Sequence, residues 1–349
     1  MTNNGPLTIR VKASGEYDIL ITEGAIFSVG TYIKKVIPLC KIAIVTDDTV
    51  DKLYSQMVFD SLVTNGYQVV KYVFPHGEQS KNIDTYGDIL NFLTENDLTR
   101  TDCIVALGGG VVGDMAGFAA ATYLRGIKYV QIPTTLLAQI DSSVGGKTAI
   151  DLKKGKNLVG AFCQPRLVVC DITTLYTLPA NVFDEGMGEA AKYALLDEKI
   201  YDLLKSDVRD LKKLIYLCVD YKRKVVENDE FEKGERKLLN LGHTVAHGIE
   251  RLSEYKIPHG KAVAMGLYAI LKASLKNKFI DKKTYEEMLD VISKIAPEHD
   301  CPFSIEQIAN ASLNDKKRSG DNITLVTVHG VGDCRLTTVK IQDLTEFLS

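Results

Sequence analysis

Residues 103 to 117 read Cys103-Ile-Val-Ala-Leu-Gly108-Gly-Gly110-Val-Val-Gly113-Asp114-Met-Ala-Gly117. A short apolar run, three consecutive glycines and a second apolar stretch predict a strand, a tight turn and the start of a helix. Gly108, Gly110 and Gly113 fit the Gly-x-Gly-x-x-Gly pattern, in which Gly109, Gly110 and their neighbours can offer backbone amides at a helix N-terminus to a pyrophosphate. One element of a dinucleotide fingerprint is missing. The stretch about 20 residues on, where an acid for the ribose hydroxyls is expected, is Pro133-Thr134-Thr135-Leu-Leu and contains none. Asp47, after the run Ile42 to Val45, and Glu78, in Pro75-His-Gly-Glu-Gln-Ser-Lys81, are the acids available. The competing reading is a glycine turn needed only for close helix–sheet packing.

Outward from this unit the pattern repeats. Ile42 to Val45, Val69 to Phe74, Tyr129 to Ile132 and Arg166 to Cys170 are short apolar runs separated by helix-length segments. Such alternation predicts a parallel sheet with crossover helices. Leu7 to Val11 and Tyr17 to Ile21, joined through Ser14-Gly15, predict an opening hairpin. Beyond about Asn181 the texture changes to long 3.6-periodic stretches, Ile200 to Val226 and Val263 to Leu275, with few strand candidates before Asn322 to Val328. The expectation is a Rossmann-like α/β nucleotide-binding domain over residues 1–179 and a mainly α-helical, metal-binding domain over 180–349, divided at Leu178-Pro179-Ala180.

Composition bounds the function. A chain of 349 residues exceeds one ordinary domain. Its 45% hydrophobic and 25% charged residues are those of a soluble globular protein. A net charge of −3 leaves no footprint for nucleic acid or an anionic membrane. No apolar run is long enough to span a bilayer. The stretch Met1-Thr-Asn-Asn-Gly-Pro6 has neither a basic n-region nor an apolar h-region, and seven cysteines without a Cys-x-x-Cys pair read as reduced thiols in a cytoplasmic enzyme.

Three of the six histidines fall between His243 and His259. His243 and His247, spaced i,i+4, project from one face if Thr244 to Leu252 is helical. His259 follows Pro258 at a break where the chain can turn back. Imidazoles at this spacing suit a divalent ion of the zinc type. Thr244 stands where a metalloprotease glutamate would be, which removes the main support for peptidase chemistry. Likewise Asp141-Ser-Ser-Val-Gly-Gly146-Lys147-Thr148 ends like a phosphate-binding loop, but Asp141 replaces the first glycine, so a kinase or ATPase is not indicated. What remains there is Lys147, Lys153, Lys156 and Asn157 beside glycines, a set able to hold a small anion.

Taken in order, these segments, with Tyr123-Leu-Arg125-Gly126, Gly186-Met-Gly-Glu189-Ala-Ala-Lys192 and Arg236-Lys-Leu-Leu-Asn240, resemble the 3-dehydroquinate synthase family from about Asp47 to Lys317. The resemblance implies an NAD-binding half, a metal half and an active site between them. It implies a reaction in which 3-deoxy-D-arabino-heptulosonate 7-phosphate loses phosphate and closes to 3-dehydroquinate, through transient oxidation by NAD, elimination, re-reduction and intramolecular aldol closure. The ligands it implies for one zinc or cobalt ion are Glu189, His243 and His259. The substrate set is Lys147, Asp141, Asn157, Lys192, Lys222, Arg236, Asn240 and Lys316 or Lys317, with Arg125 reaching in from the partner of a homodimer. His247 is left over from the metal, for proton transfer or hydrogen bonding. The cofactor contacts implied are Asp47, Glu78, Lys81, Gly109, Gly110, Asp114, Thr134, Thr135 and Lys156.

This chain departs from the family pattern in a few places. Ala149 and Asp151 replace a usual glycine and asparagine, Lys261 a frequent glutamate, and Gly188 and Gly248 common alanines. Asp151 puts the geometry of the anion-binding loop in question, Lys261 is expected to weaken metal binding, and the two glycines to affect packing only. Two alternatives share the layout: a sister sugar-phosphate cyclase, and a metal-dependent polyol or glycerol-1-phosphate dehydrogenase.

Overall fold

The computed structural model describes residues 5–206, 210–297, 300–312, 318–319 and 321–349. The chain divides into two compact units, Met1–Leu178 with Leu211–Glu230, and Pro179–Asp210 with Phe231–Ser349. A linear division between residues 179 and 180 contains no such return to the first unit.

The first unit is built on a seven-stranded sheet. Its strands are β1 (Leu7–Lys12), β2 (Glu16–Thr22), β3 (Lys41–Asp47), β4 (Gln68–Phe74), β5 (Cys103–Gly108), β6 (Lys128–Pro133) and, after the separate hairpin of β7 (Lys147–Leu152) and β8 (Gly155–Phe162), β9 (Leu167–Asp171). The order is β1-β2-β9-β6-β5-β3-β4. Only the β1–β2 pair is antiparallel, with Ile9 opposite Ile19, as the alternation around Ser14-Gly15 predicts. The other neighbours are parallel, with Ile44 facing Val105 and Val105 facing Val130.

Side chains on these strands alternate between two buried layers. Ile42, Ile44, Val105 and Leu107 join one with Val58 and Leu62, from the helix α1 (Gln56–Thr64). Ala43, Val45, Ile104 and Ala106 join the other with Ile89 and Leu93 of α2 (Ile83–Glu95) and Met115, Ala116 and Ala119 of α3 (Gly110–Thr122). A period of two with both faces covered explains why these strands read as continuous apolar runs. The chain leaves β3 toward β4 and then crosses back to β5. The sheet's topological switch point therefore falls between the C-terminal ends of β3 and β5, beside Asp47 and Gly108.

The second unit is mainly helical. It contains α4 (Ala180–Leu196) and α5 (Glu198–Lys205), and, beyond α6 (Leu211–Asn228) of the first unit, α7 (His243–Leu252), α8 (His259–Lys276), α9 (Lys282–Ile295) and α10 (Ile305–Ser312). An antiparallel sheet of β10 (Arg318–Ser319), β11 (Asn322–Gly330) and β12 (Asp333–Lys340) accompanies them. The stretch Ile200 to Val226, one periodic run in the sequence, is two helices in different units. Among the described residues no helix is long and apolar enough to cross a membrane.

Glycines let the helices of this unit approach closely. A Cβ at Gly188 of α4 would lie 2.1 Å from the Gly260 carbonyl of α8, and one at Gly266 would lie 2.2 Å from the Gly242 carbonyl just before α7. Both distances are far inside van der Waals contact, so α4, α7 and α8 meet backbone to backbone. At Gly248 the room is also short, with Ser312 Oγ at 2.8 Å.

Candidate metal centre and nucleotide cradle

Each of the three closely packed helices supplies one group to a common point. Glu189 comes from α4, His243 opens α7, and His259 opens α8 behind Pro258. The Glu189 Oε1 atom is 3.3 Å from His243 Nε2 and 3.1 Å from His259 Nε2. One donor atom from each residue lies within 4.8 Å of the others. One carboxylate and two imidazoles at this separation match the donor set of a zinc or cobalt site that retains positions for substrate.

The electrostatics suit a cation. Burial alone would raise the Glu189 carboxyl, but Lys192, whose Nζ is 2.6 Å from Oε2, and His243 hold it well below the usual carboxylate range. Burial pulls His243 down to about 4, so its imidazole is neutral and able to donate a lone pair. Burial also acts against a charged His259, yet hydrogen bonds with Glu189 and Glu250 prevail and push it up to about 10. His247 lies off this cluster. Its ring meets His243 edge-on, with centroids 5.7 Å apart, and stacks against His259 at 6.5 Å. Elsewhere in this unit Arg236 is buried, 1% exposed, and Asn240 donates from Nδ2 to Glu232 Oε1 at 2.6 Å. Lys316 and Lys317 lie outside the described residues.

In the first unit the glycine turn has the geometry of a cradle. Gly109 precedes α3 without a side-chain cap, which leaves first-turn amides for a ligand. A Cβ at Gly109 would come 3.0 Å from Thr135 Cγ2, and one at Gly110 would come 3.2 Å from Ser142 Oγ. The Thr134 hydroxyl is buried without a hydrogen-bond partner, and a bound polar group would relieve that. These observations fit a dinucleotide pyrophosphate. Asp47 ends β3 at the switch point, where its carboxylate accepts the Thr49 and Val50 amides.

Lys81 organises the remaining groups. Its buried Nζ donates to Asp114 Oδ2 and to Asn157 Oδ1, both at 2.6 Å. Burial works against its charge, but Asp114 and Glu78 outweigh that and raise its pKa. Burial pushes the Asp114 carboxyl up against the pull of Lys81. Lys156 is 3.7 Å from Glu78 Oε1. Asn157 adopts φ 54°, a left-handed conformation that asparagine tolerates. Lys153, read in the sequence as part of an anion-binding set, forms the tip of the β7–β8 hairpin with Lys154. Lys147 is exposed at the start of β7. Asp141 accepts a short hydrogen bond from Lys222 of α6, and its carbonyl accepts a second at 2.8 Å. Arg125 is exposed between Leu124 and Gly126, three consecutive residues of positive φ.

Two residues of consequence escaped the sequence reading. Glu250 is buried against His259, and its only signal was its position seven residues after His243 on the same helix face. Asp151, a departure from the family pattern, stands half-buried beside Glu78 and Lys81, which its residue type alone does not signal.

A glycine-turn cradle on a parallel sheet and a three-helix Glu-His-His centre are the parts of an NAD- and metal-dependent enzyme. Comparisons with known proteins narrow the class. The model for the N-terminal part of 3-dehydroquinate synthase matches residues 71–185 and that for its C-terminal part matches residues 186–318. A 3-dehydroquinate synthase of Clostridium acetobutylicum is 43% identical over 345 residues, covering 95% of this chain and 96% of the relative. The chain belongs to the 3-dehydroquinate synthase family. Among solved structures, 2-deoxy-scyllo-inosose synthase with carbaglucose-6-phosphate, NAD+ and Co2+ superposes with a TM-score of 0.87 at 27% identity, over 98% of this chain and 99% of that one. The 2-epi-5-epi-valiolone synthase of Streptomyces hygroscopicus, with NAD+ and Zn2+ bound, also gives 0.87, at 23% identity over 97% and 98%. The second likeness shows the fold.

Proposed function

We propose that this chain converts 3-deoxy-D-arabino-heptulosonate 7-phosphate to 3-dehydroquinate and inorganic phosphate, within aromatic amino acid biosynthesis in the cytoplasm. The observation that carries the reading is the Glu189, His243 and His259 donor set in a chain that matches both parts of the family. Those three residues hold one divalent ion, zinc or cobalt. Gly109, Gly110, Thr134, Thr135, Asp47, Glu78, Lys81, Asp114 and Lys156 hold NAD. When bound, the ion would supply Lewis-acid polarisation of a substrate oxygen, and NAD would supply reversible hydride acceptance.

The chain's own residues bind and orient the substrate and manage its protons. A sugar-acid phosphate carries a carboxylate and a phosphate, and both need fixed cations. Lys147, Lys222, Arg236 and a lysine of 316–317 supply them, with Asn157 and Asn240 as neutral donors. The Arg236 side chain is almost wholly buried, so its planar fork is already desolvated and ordered for a bidentate anion contact. Lys192, held 2.6 Å from Glu189, keeps that carboxylate ionised and is assigned a substrate hydroxyl or the carboxylate. Asp141 fixes the Lys222 ammonium. His247, beside both histidine ligands but outside the donor cluster, serves in proton transfer. Arg125 acts from the partner subunit of a homodimer, carried there by the strained turn at residues 124–126.

The test is phosphate release from 3-deoxy-D-arabino-heptulosonate 7-phosphate with NAD and zinc present, while absorbance at the NADH band is followed. Release without net NADH is expected. A steady rise in NADH would indicate a dehydrogenase. Release from another sugar phosphate but not from this one would indicate a sister cyclase.

A further inference from the structure

His259 stands between two carboxylates. Its Nε2 faces Glu189 Oε1 at 3.1 Å, and its Nδ1 lies 3.3 Å from Glu250 Oε1. Glu250 sits on α7, seven residues after His243 and three after His247, so the three share one helix face. Its side chain is 3% exposed. A carboxylate buried to this degree is costly unless it is aimed at a donor or a cation, and the imidazole of His259 is one such group. The other histidine ligand is treated in the same way. His243 Nδ1 lies 3.1 Å from the Leu241 carbonyl oxygen. In both rings, then, Nδ1 is engaged by an oxygen acceptor and Nε2 is turned toward Glu189.

An imidazole that coordinates through one nitrogen has the proton on the other, and an acceptor for that proton fixes both tautomer and ring orientation while raising the basicity of the ligating atom. A carboxylate acceptor does this more strongly than a carbonyl. We propose that Glu250 is a positioning residue of the metal centre: by accepting the Nδ1–H of His259 it aims the Nε2 lone pair at the ion and sets the affinity for it. The proposal rests on the metal reading above. It also gives α7 two tasks at the centre, direct ligation through His243 and support of the α8 ligand through Glu250.

Zinc affinity, measured on the full chain by competition with a chromophoric chelator, tests this. E250L should weaken zinc binding roughly 10- to 100-fold, the range for loss of such a partner, and E250Q, which keeps a neutral acceptor, should fall between E250L and the parent. The cobalt-substituted protein should show displaced visible absorption bands in both variants, a readout that general loosening of the fold does not produce. NAD affinity, which depends on the first unit, should be unchanged. Zinc binding by folded E250L within twofold of the parent, or unchanged cobalt bands in E250Q, would overturn the proposal. Parallel loss of NAD binding and melting temperature would overturn it as well, by making Glu250 structural. H259A separates the two readings: if the parent itself binds zinc no better than H259A, the metal centre fails and Glu250's role with it.

Discussion

Replacing Asp151 by asparagine should stabilise the protein above pH 6 and leave it unchanged near pH 4. Asp151, the next-to-last residue of β7, accepts the Asn157 amide at 2.7 Å through its carboxylate, which also shares a hydrogen bond with Glu78. Burial pushes its pKa from 3.8 to about 6, against the pull of the Asn157 amide and Lys81, and Glu78 adds to the rise. Between those values the unfolded chain has lost the proton while the native chain keeps it, so the parent loses stability as pH rises from about 4 to about 6, and the penalty is constant above that. The full displacement is worth ~3 kcal/mol at ~1.36 kcal/mol per tenfold. Asp151 keeps part of its surface in water, and screening reduces this to about 1 kcal/mol. Asparagine retains the acceptor for the Asn157 amide and offers Glu78 an N–H in place of a second acid. Urea unfolding of parent and D151N across this range, followed by far-ultraviolet circular dichroism because the chain has no tryptophan, should give a gap that opens from pH 4 to 6 and then holds. A constant gap, or one that closes as pH rises, would refute the assignment.

Gly188→Ala should lower stability by about 1–3 kcal/mol, the usual cost of overpacking, because the new Cβ would stand 2.1 Å from the Gly260 carbonyl. It should also weaken zinc binding, since Glu189 and His259 are carried by the two helices forced apart; parent-like melting and zinc affinity in G188A would contradict this. His259→Ala should abolish zinc binding and turnover while NAD affinity stays near the parent's, and full turnover by metal-depleted protein would contradict the ligand assignment. Arg125→Ala should cripple turnover with the fold intact, and mixing it with an inactive Lys147→Ala variant should restore activity if the arginine crosses a subunit boundary. Absence of complementation would place Arg125 in its own site.

The parallel core of the first unit was legible because both of its faces are covered. Strands β3, β5, β6 and β9 have no solvent side, and their residues read as unbroken apolar runs between glycine or polar breaks. The β7–β8 hairpin was not legible for the opposite reason. Its outer positions are Lys147, Leu152, Asn157, Leu158 and Phe162, a mixture with no clean alternation, and only the inner face, where Thr148 approaches Gly117 of α3, is buried. Lys153, Lys156 and Asn157 therefore read as an anion-binding loop. The division of Ile200 to Val226 was hidden because a hydrophobic period reports that a helix has a buried face and not which unit buries it. Leu214, Ile215, Val219 and Val226 are core positions of the first unit, although the sequence on either side belongs to the second. Lys222, on the same helix, thereby comes to Asp141.

The metal centre shows where spacing stops being informative. His243 and His247 are equivalent by their i,i+4 relation, and nothing within α7 distinguishes them as ligands. The distinction lies in geometry set by other helices. Four residues advance a helix by about 6 Å, close to the 5.7 Å between the two ring centres, whereas the three donor atoms must converge within 4.8 Å. Glu189 and His259 reach the first turn of α7 because Gly188 and Gly260 let α4 and α8 touch there, and Gly266 brings α8 against Gly242 at the same end. His243 stands at that end, and its donor atom is the one that lies with those of Glu189 and His259. The same contact explains why Glu250, two turns along α7 from His243, engages His259 from its other ring nitrogen. The chemistry of the stripe His243, His247 and Glu250 thus follows from the helix crossing. Shifting that crossing at Gly188 should disturb ligand and supporting carboxylate together, so G188A should lose more zinc affinity than E250L, and the reverse ranking would mean that α4 and α8 tolerate separation without moving their donors.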